Sequence, residues 1–82
     1  MKLLKFEASW CQPCKSLSAI MEGLELPVPV ERVDIDQNMQ RAREYNIRSV
    51  PTLVLVDDQG GEIKRGQNFK TGESIKEFFT VV

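Results

Sequence analysis

The chain has no histidine. That removes imidazole as a general base or metal ligand, and with it Ser–His and Cys–His nucleophilic catalysis. Cysteine is scarce: there are two, Cys11 and Cys14. A bridge between them closes too small a loop to hold a whole small domain together. Without histidine or further cysteines they supply at most half of a zinc site. No hydrophobic run approaches the ~20 residues of a membrane span. Met1–Phe6, carrying Lys2 and Lys5, is too short and too charged for the apolar stretch of a secretory leader. Neither sign of charge dominates, with 11 Lys and Arg against 12 Asp and Glu. Nucleic acid and anionic membrane are therefore not expected partners. A Gly-rich dinucleotide loop is also missing, so no nicotinamide cofactor is expected. The expected location is cytoplasmic and the expected state a monomer.

What is present fits one domain, residues 1–82, with an ordinary globular share of apolar residues. A chain this short needs an economical core. Lys2–Glu7 reads as a strand with Leu4 and Phe6 on one face. Pro13 to about Glu22 reads as a helix, because Leu17, Ile20, Met21 and Leu24 form a helical stripe. Gly23 is its expected stop, and Pro27 and Pro29 punctuate a turn. Val30–Ile35 is a strand whose charges suit a sheet edge. Asn38 is the expected cap of a short helix through Tyr45, with Met39, Ala42 and Tyr45 inward and Asn46 as a left-handed stop. Thr52–Val56 is apolar enough to be covered on both faces. Asp57–Gly61 signals a hairpin turn and Glu62–Arg65 the returning strand. Thr71 is placed to cap a last helix with Ile75, Phe78 and Phe79 inward. The order βαβαββα implies an α/β fold: a four-stranded mixed sheet with helices on both faces.

Two motifs carry chemistry. Trp10-Cys11-Gln12-Pro13-Cys14-Lys15 follows a strand and opens a helix. A helix start aims free N–H groups and a partial positive charge at Cys11, which favours thiolate. The two-residue spacing lets Cys14 attack a mixed disulfide formed on Cys11. Pro13 stiffens the first turn at no cost in hydrogen bonds, and Trp10 offers an apolar wall. A CxxC beside a βαβ pattern is a redox motif; the alternatives are a buried Cys pair or half a metal site. Arg48-Ser49-Val50-Pro51-Thr52 precedes the most apolar strand. Alone this reads as an ordinary trans Pro opening a strand; beside the cysteine motif the expectation is a cis Val50–Pro51 bond, which would turn the chain and leave the Val50 backbone free to pair with an extended substrate.

Together these motifs resemble the thioredoxin family over essentially the whole chain. Phe6–Lys15 is similar to the family's active-site strand and turn, Val33–Asn38 to its next strand and helix start, and Tyr45–Thr52 to its cis-proline segment. Gly61–Ile63 and Ile75–Phe79 are similar to its final hairpin and helix. The resemblance implies a minimal thioredoxin fold and a dithiol electron donor that reduces protein disulfides. Cys11 is then the nucleophile and Cys14 the resolving thiol. Trp10, Gln12, Pro13, Val50, Pro51 and Gly66 contact substrate. No cofactor is bound beyond the redox-active Cys11–Cys14 disulfide. The implied partners are a thioredoxin reductase fed by NADPH and disulfide clients such as ribonucleotide reductase.

The chain also departs from the family pattern. The family's first strand and helix are absent, as in phage-encoded forms. Gln12 stands where the family usually has Gly, Lys5 where it has a buried Asp, and Glu7 where an aromatic is common. Lys5 has two readings: an ammonium snorkelling to water, or a partly buried pair with Glu7 beneath the cysteines that tunes their pKa, with Glu7 as base. Two other functions stay open. One is a glutaredoxin-like, glutathione-dependent donor, against which Trp10 and Gln12-Pro13 weigh. The other is a redox-idle binding module that uses the apolar rim of Trp10, Val50 and Pro51.

Overall fold

The computed structural model describes residues 1–80. Strand β1 (Lys2–Glu7) leads through α1 (Gln12–Glu22) to β2 (Val30–Asp34) and α2 (Met39–Glu44). Then come β3 (Thr52–Val56), β4 (Glu62–Gly66) and α3 (Gly72–Thr80). The sheet order is β2-β1-β3-β4, with β1 and β2 parallel and the other pairs antiparallel. The charged strand β2 is indeed an edge.

Strand alternation sends β1 and β3 side chains to opposite faces, and both faces are covered. Leu3, Leu53 and Leu55 pack with Leu17 of α1 and Ile75 of α3. Leu4, Phe6, Val54 and Val56 pack with Val33, and Tyr45 and Ile47 close that face. All five residues of β3 are buried, as a doubly covered strand requires.

Local chemistry sets the boundaries. Thr71 caps α3 as expected: the Ser74 N–H donates to Thr71 Oγ1 at 3.1 Å. Asn46 sits at φ 54°, in the region Asn tolerates. The hairpin closes on Asp57, whose Oδ1 accepts the N–H groups of Gln59 and Gly61 at 2.9 and 2.8 Å. Gly60 supplies the positive φ, 85°.

Two local expectations are corrected. The Asn38 side chain makes no cap hydrogen bond. Its backbone N–H instead continues the turn from β2, donating to Asp34 O at 2.9 Å. Met39 is 58% exposed rather than inward. Helix α2 has fewer than two turns, and its burial falls at the far end, where the Tyr45 ring lies 5.7 Å from Phe6.

Candidate active site

The redox motif sits where β1 runs out and α1 begins. Cys11 is the N-cap residue of α1, with extended backbone, and Pro13 occupies the first turn. The Cys14 N–H, one of the turn's free donors, points at Cys11 Sγ from 3.1 Å. That placement stabilises negative charge on this sulfur. The two cysteines form a disulfide with Cα atoms 5.2 Å apart. Both are buried, packed with Ala8 and flanked by Ile35 and Val50. Exposure therefore does not set them apart; their neighbours do.

In front of Cys11 lies the turn before β3. The Val50–Pro51 bond is cis. The Val50 carbonyl oxygen is 3.7 Å from Cys11 Sγ, within reach of a thiol proton. Trp10 is 66% exposed beside the motif. Its Nε1–H donates to Asp36 Oδ2 at 2.8 Å, which fixes the indole. Gln12 and Pro13 are exposed and line a groove with Pro51. Asn68, Phe69 and Lys70 form its opposite side. Gly66 does not line that groove. It lies beneath Phe69, and a Cβ there would meet the Phe69 ring at 2.5 Å.

Behind Cys14 the surroundings are ionic. Lys5 is 2% exposed, in a central strand. The snorkelling reading is therefore wrong: its strand lies between two others, and its ammonium finds partners inside. It donates to Ser18 Oγ at 2.7 Å and also to Glu7. Glu7 also holds Arg32, whose Nη2 and Nε lie 2.8 and 3.1 Å from Oε2. Burial alone raises the Glu7 carboxyl, but the hydrogen bonds from Arg32 and Lys5 prevail and hold it below its ordinary value of 4.5. Glu7 is thus an ionised, weak base that holds both Lys5 and Arg32. A cavity of about 240 Å³ joins Glu7, Ser18 and Arg32 to Cys14, with Lys15 and Asp34 also on its lining. Among the described residues no group of three or more His, Cys, Asp or Glu is placed to hold a metal ion.

Sequence reasoning named Lys5 and Glu7 but missed Ser18, Arg32 and Asp36. Ser18 follows Cys14 by one helical turn, so the i,i+4 rule could have placed it on the same face. Arg32 lies opposite Lys5 in the parallel register, and only the folded sheet reveals that pairing. Asp36 carries no sequence signal as the indole's acceptor.

Comparison with known proteins agrees with this geometry. The family model for Thioredoxin matches residues 1–80. A thioredoxin of Chlamydia trachomatis is 42% identical over 76 residues, covering 89% of this chain and 74% of the relative. The SPbeta prophage-derived thioredoxin-like protein YosR of Bacillus subtilis is 36% identical over 73 residues, covering 89% of each chain. Among solved structures, Fasciola hepatica thioredoxin superposes with a TM-score of 0.83 at 33% identity. That superposition covers 96% of this chain and 77% of the other.

Proposed function

Because this chain belongs to the thioredoxin family and keeps its redox pair, it is a thiol–disulfide oxidoreductase, and we propose that Cys11 attacks, Cys14 resolves, and the Lys5–Glu7 pair tunes the resolving step. The Cys11 thiolate attacks one sulfur of a client disulfide. An S–S bond forms between them and the other client sulfur leaves as thiolate. Cys14, deprotonated, then attacks Cys11 Sγ. The mixed disulfide breaks, Cys11–Cys14 forms, and the second client thiolate leaves. The client gains two electrons and the dithiol loses two. The observation that carries the assignment is the Cys14 N–H donating to Cys11 Sγ at the mouth of α1.

Trp10, Gln12, Pro13, Val50 and Pro51 surround Cys11 and supply the surface a client meets. Gly66 serves that surface indirectly, by letting Phe69 pack down over it. The Cys14 proton leaves through the cavity beneath it. Glu7, clamped as a carboxylate, holds Lys5 there rather than taking the proton. The buried Lys5 ammonium, held behind this cavity by Glu7 and Ser18, favours the Cys14 thiolate.

The electron source is a thioredoxin reductase, the clients are protein disulfides, ribonucleotide reductase among them, and the chain works as a cytoplasmic monomer in a single domain, residues 1–82. Alkylation of the reduced protein at neutral pH tests the assignment. Cys11 should be labelled well before Cys14, and labelling of Cys14 first would reverse the roles. Turnover with NADPH and a thioredoxin reductase, but not with reduced glutathione, tests the electron source. The opposite result would make the chain a glutaredoxin-like donor.

A further inference from the structure

The groove beside the redox pair extends well past the cysteines. Its volume is about 560 Å³. On one side it follows α1 from Pro13 through Ser16 to Ile20, and on the other it is bounded by Pro51, Phe69 and Lys70. From Gln12 to Ile20 the helix rises about 12 Å, at about 1.5 Å per residue. An extended peptide advances about 3.3 Å per residue, so the groove spans roughly four client residues.

Its far wall is built by the segment after β4. Asn68 takes a left-handed φ of 62°. Phe69 is held edge-on to Phe78 at 5.4 Å. Gln67 Nε2 ties the same segment to Thr52 Oγ1 at 3.3 Å. The wall is therefore braced at several points. Among the described residues Lys70 is the one charged group lining the groove, and it is exposed. The remaining lining is apolar or neutral.

We propose that this groove selects client segments that carry an apolar residue and a carboxylate within about four residues of the reactive cysteine. The apolar side chain lies between Ile20 and Phe69, and the Asp or Glu meets Lys70. The inference rests on the redox assignment above and adds a client preference to it. The apolar contact buries area at the centre of the groove, where affinity arises. The exposed ion pair adds discrimination and is weakened by salt.

The test uses two disulfide-linked peptides of equal length that differ by Asp or Lys at one position in the four-residue window. A small uncharged disulfide, 2-hydroxyethyl disulfide, is the third substrate. The wild-type protein should reduce the Asp peptide with kcat/KM about three- to tenfold above the Lys peptide, the scale of an exposed pair replaced by a like-charge contact. The difference should lie in KM and shrink at high salt. Lys70→Glu should reverse the preference. Lys76→Glu makes the same change of net charge on α3 away from the groove and should keep it. Phe69→Ala should raise KM for both peptides. Equal rates for the two peptides, or a preference unmoved by Lys70→Glu, would overturn the proposal while leaving the redox assignment standing. Failure of the wild type to reduce even 2-hydroxyethyl disulfide would overturn the redox assignment and the client preference with it.

Discussion

The two sides of the Cys11–Cys14 pair are built from opposite materials. In front are Trp10, Pro13, Pro51 and Phe69: partly exposed, apolar, and held by a few contacts from loops and a helix start. Behind are Lys5, Glu7 and Ser18: largely buried, hydrogen-bonded, and rooted in β1 and α1. On the proposed reading the front meets the client, and its apolar lining suits contact with client side chains. The back borders Cys14 through a shared cavity, and a buried charge there is screened less than one at the surface. The proposed function thus assigns substrate choice and sulfur chemistry to opposite sides of a disulfide one helical turn wide.

The sharpest break in this comparison should come from halving the ion pair. Glu7→Gln keeps an amide oxygen within reach of the Lys5 ammonium but removes the negative charge that balances it. Removing one member of a buried pair costs about 3–5 kcal/mol. Denaturant unfolding should show a loss on that scale for Lys5→Met or Glu7→Gln, and a smaller loss for the double variant. Arg32→Met, at a side chain 68% exposed, should cost only about 0.2–1 kcal/mol. Equal losses for Lys5→Met and Arg32→Met would erase the distinction between core and rim in this cluster.

The same cluster shapes acid stability. The folded Glu7 carboxyl lies below its ordinary 4.5, held there against burial by Arg32 and Lys5. Its contribution is therefore fully present above about pH 4.5 and is lost as the pH falls through the depressed folded value. Unfolding free energy measured from pH 7 to pH 2 should fall along this limb in the wild type. Glu7→Gln should flatten the limb, and an unchanged limb would remove Glu7 from the account.

Changes in front should be smaller still in stability. Asp36→Ala frees the Trp10 indole N–H, which is already exposed, at a cost of about 0.5–1.5 kcal/mol or less. The expected effects are a shift in Trp10 fluorescence and a modest rise in KM for protein clients. A large drop in melting temperature would mean the indole holds the fold together as well as the client surface.

How much of this was legible in the sequence follows the same division. The strands and helices were readable because period-two and period-3.6 apolar spacing ties each to a covered face: Leu4 and Phe6, Leu17 and Ile20, Ile75 and Phe78. Cys11 and Cys14 were readable because their spacing at one strand end and helix start is local, and Pro51 because it stands directly before the most apolar strand. The place of Lys5 was not, since a lysine in a strand can snorkel or pair. The choice depends on Glu7 and Ser18 being within reach and on β1 lying inside the sheet. Parallel pairing of β1 with β2, which brings Arg32 beside Lys5, is set by the crossover and leaves no mark on either strand. Met39 misled because a helical stripe predicts a face but not how far the sheet extends beneath it. The segment from Gly66 to Thr71 has no periodicity at all, so the groove wall of Phe69 and Lys70 became visible only once folded.

The most direct test of the central claim is trapping. Cys11→Ser and Cys14→Ser variants are incubated with a disulfide-bonded client, quenched with acid, and examined by intact-mass spectrometry under non-reducing conditions. Cys14→Ser should accumulate a covalent adduct through Cys11, because the attack proceeds and the resolving sulfur is gone. Cys11→Ser should accumulate none. A stable adduct on Cys11→Ser at a comparable rate would contradict the account, for it would make Cys14 the thiol that clients meet.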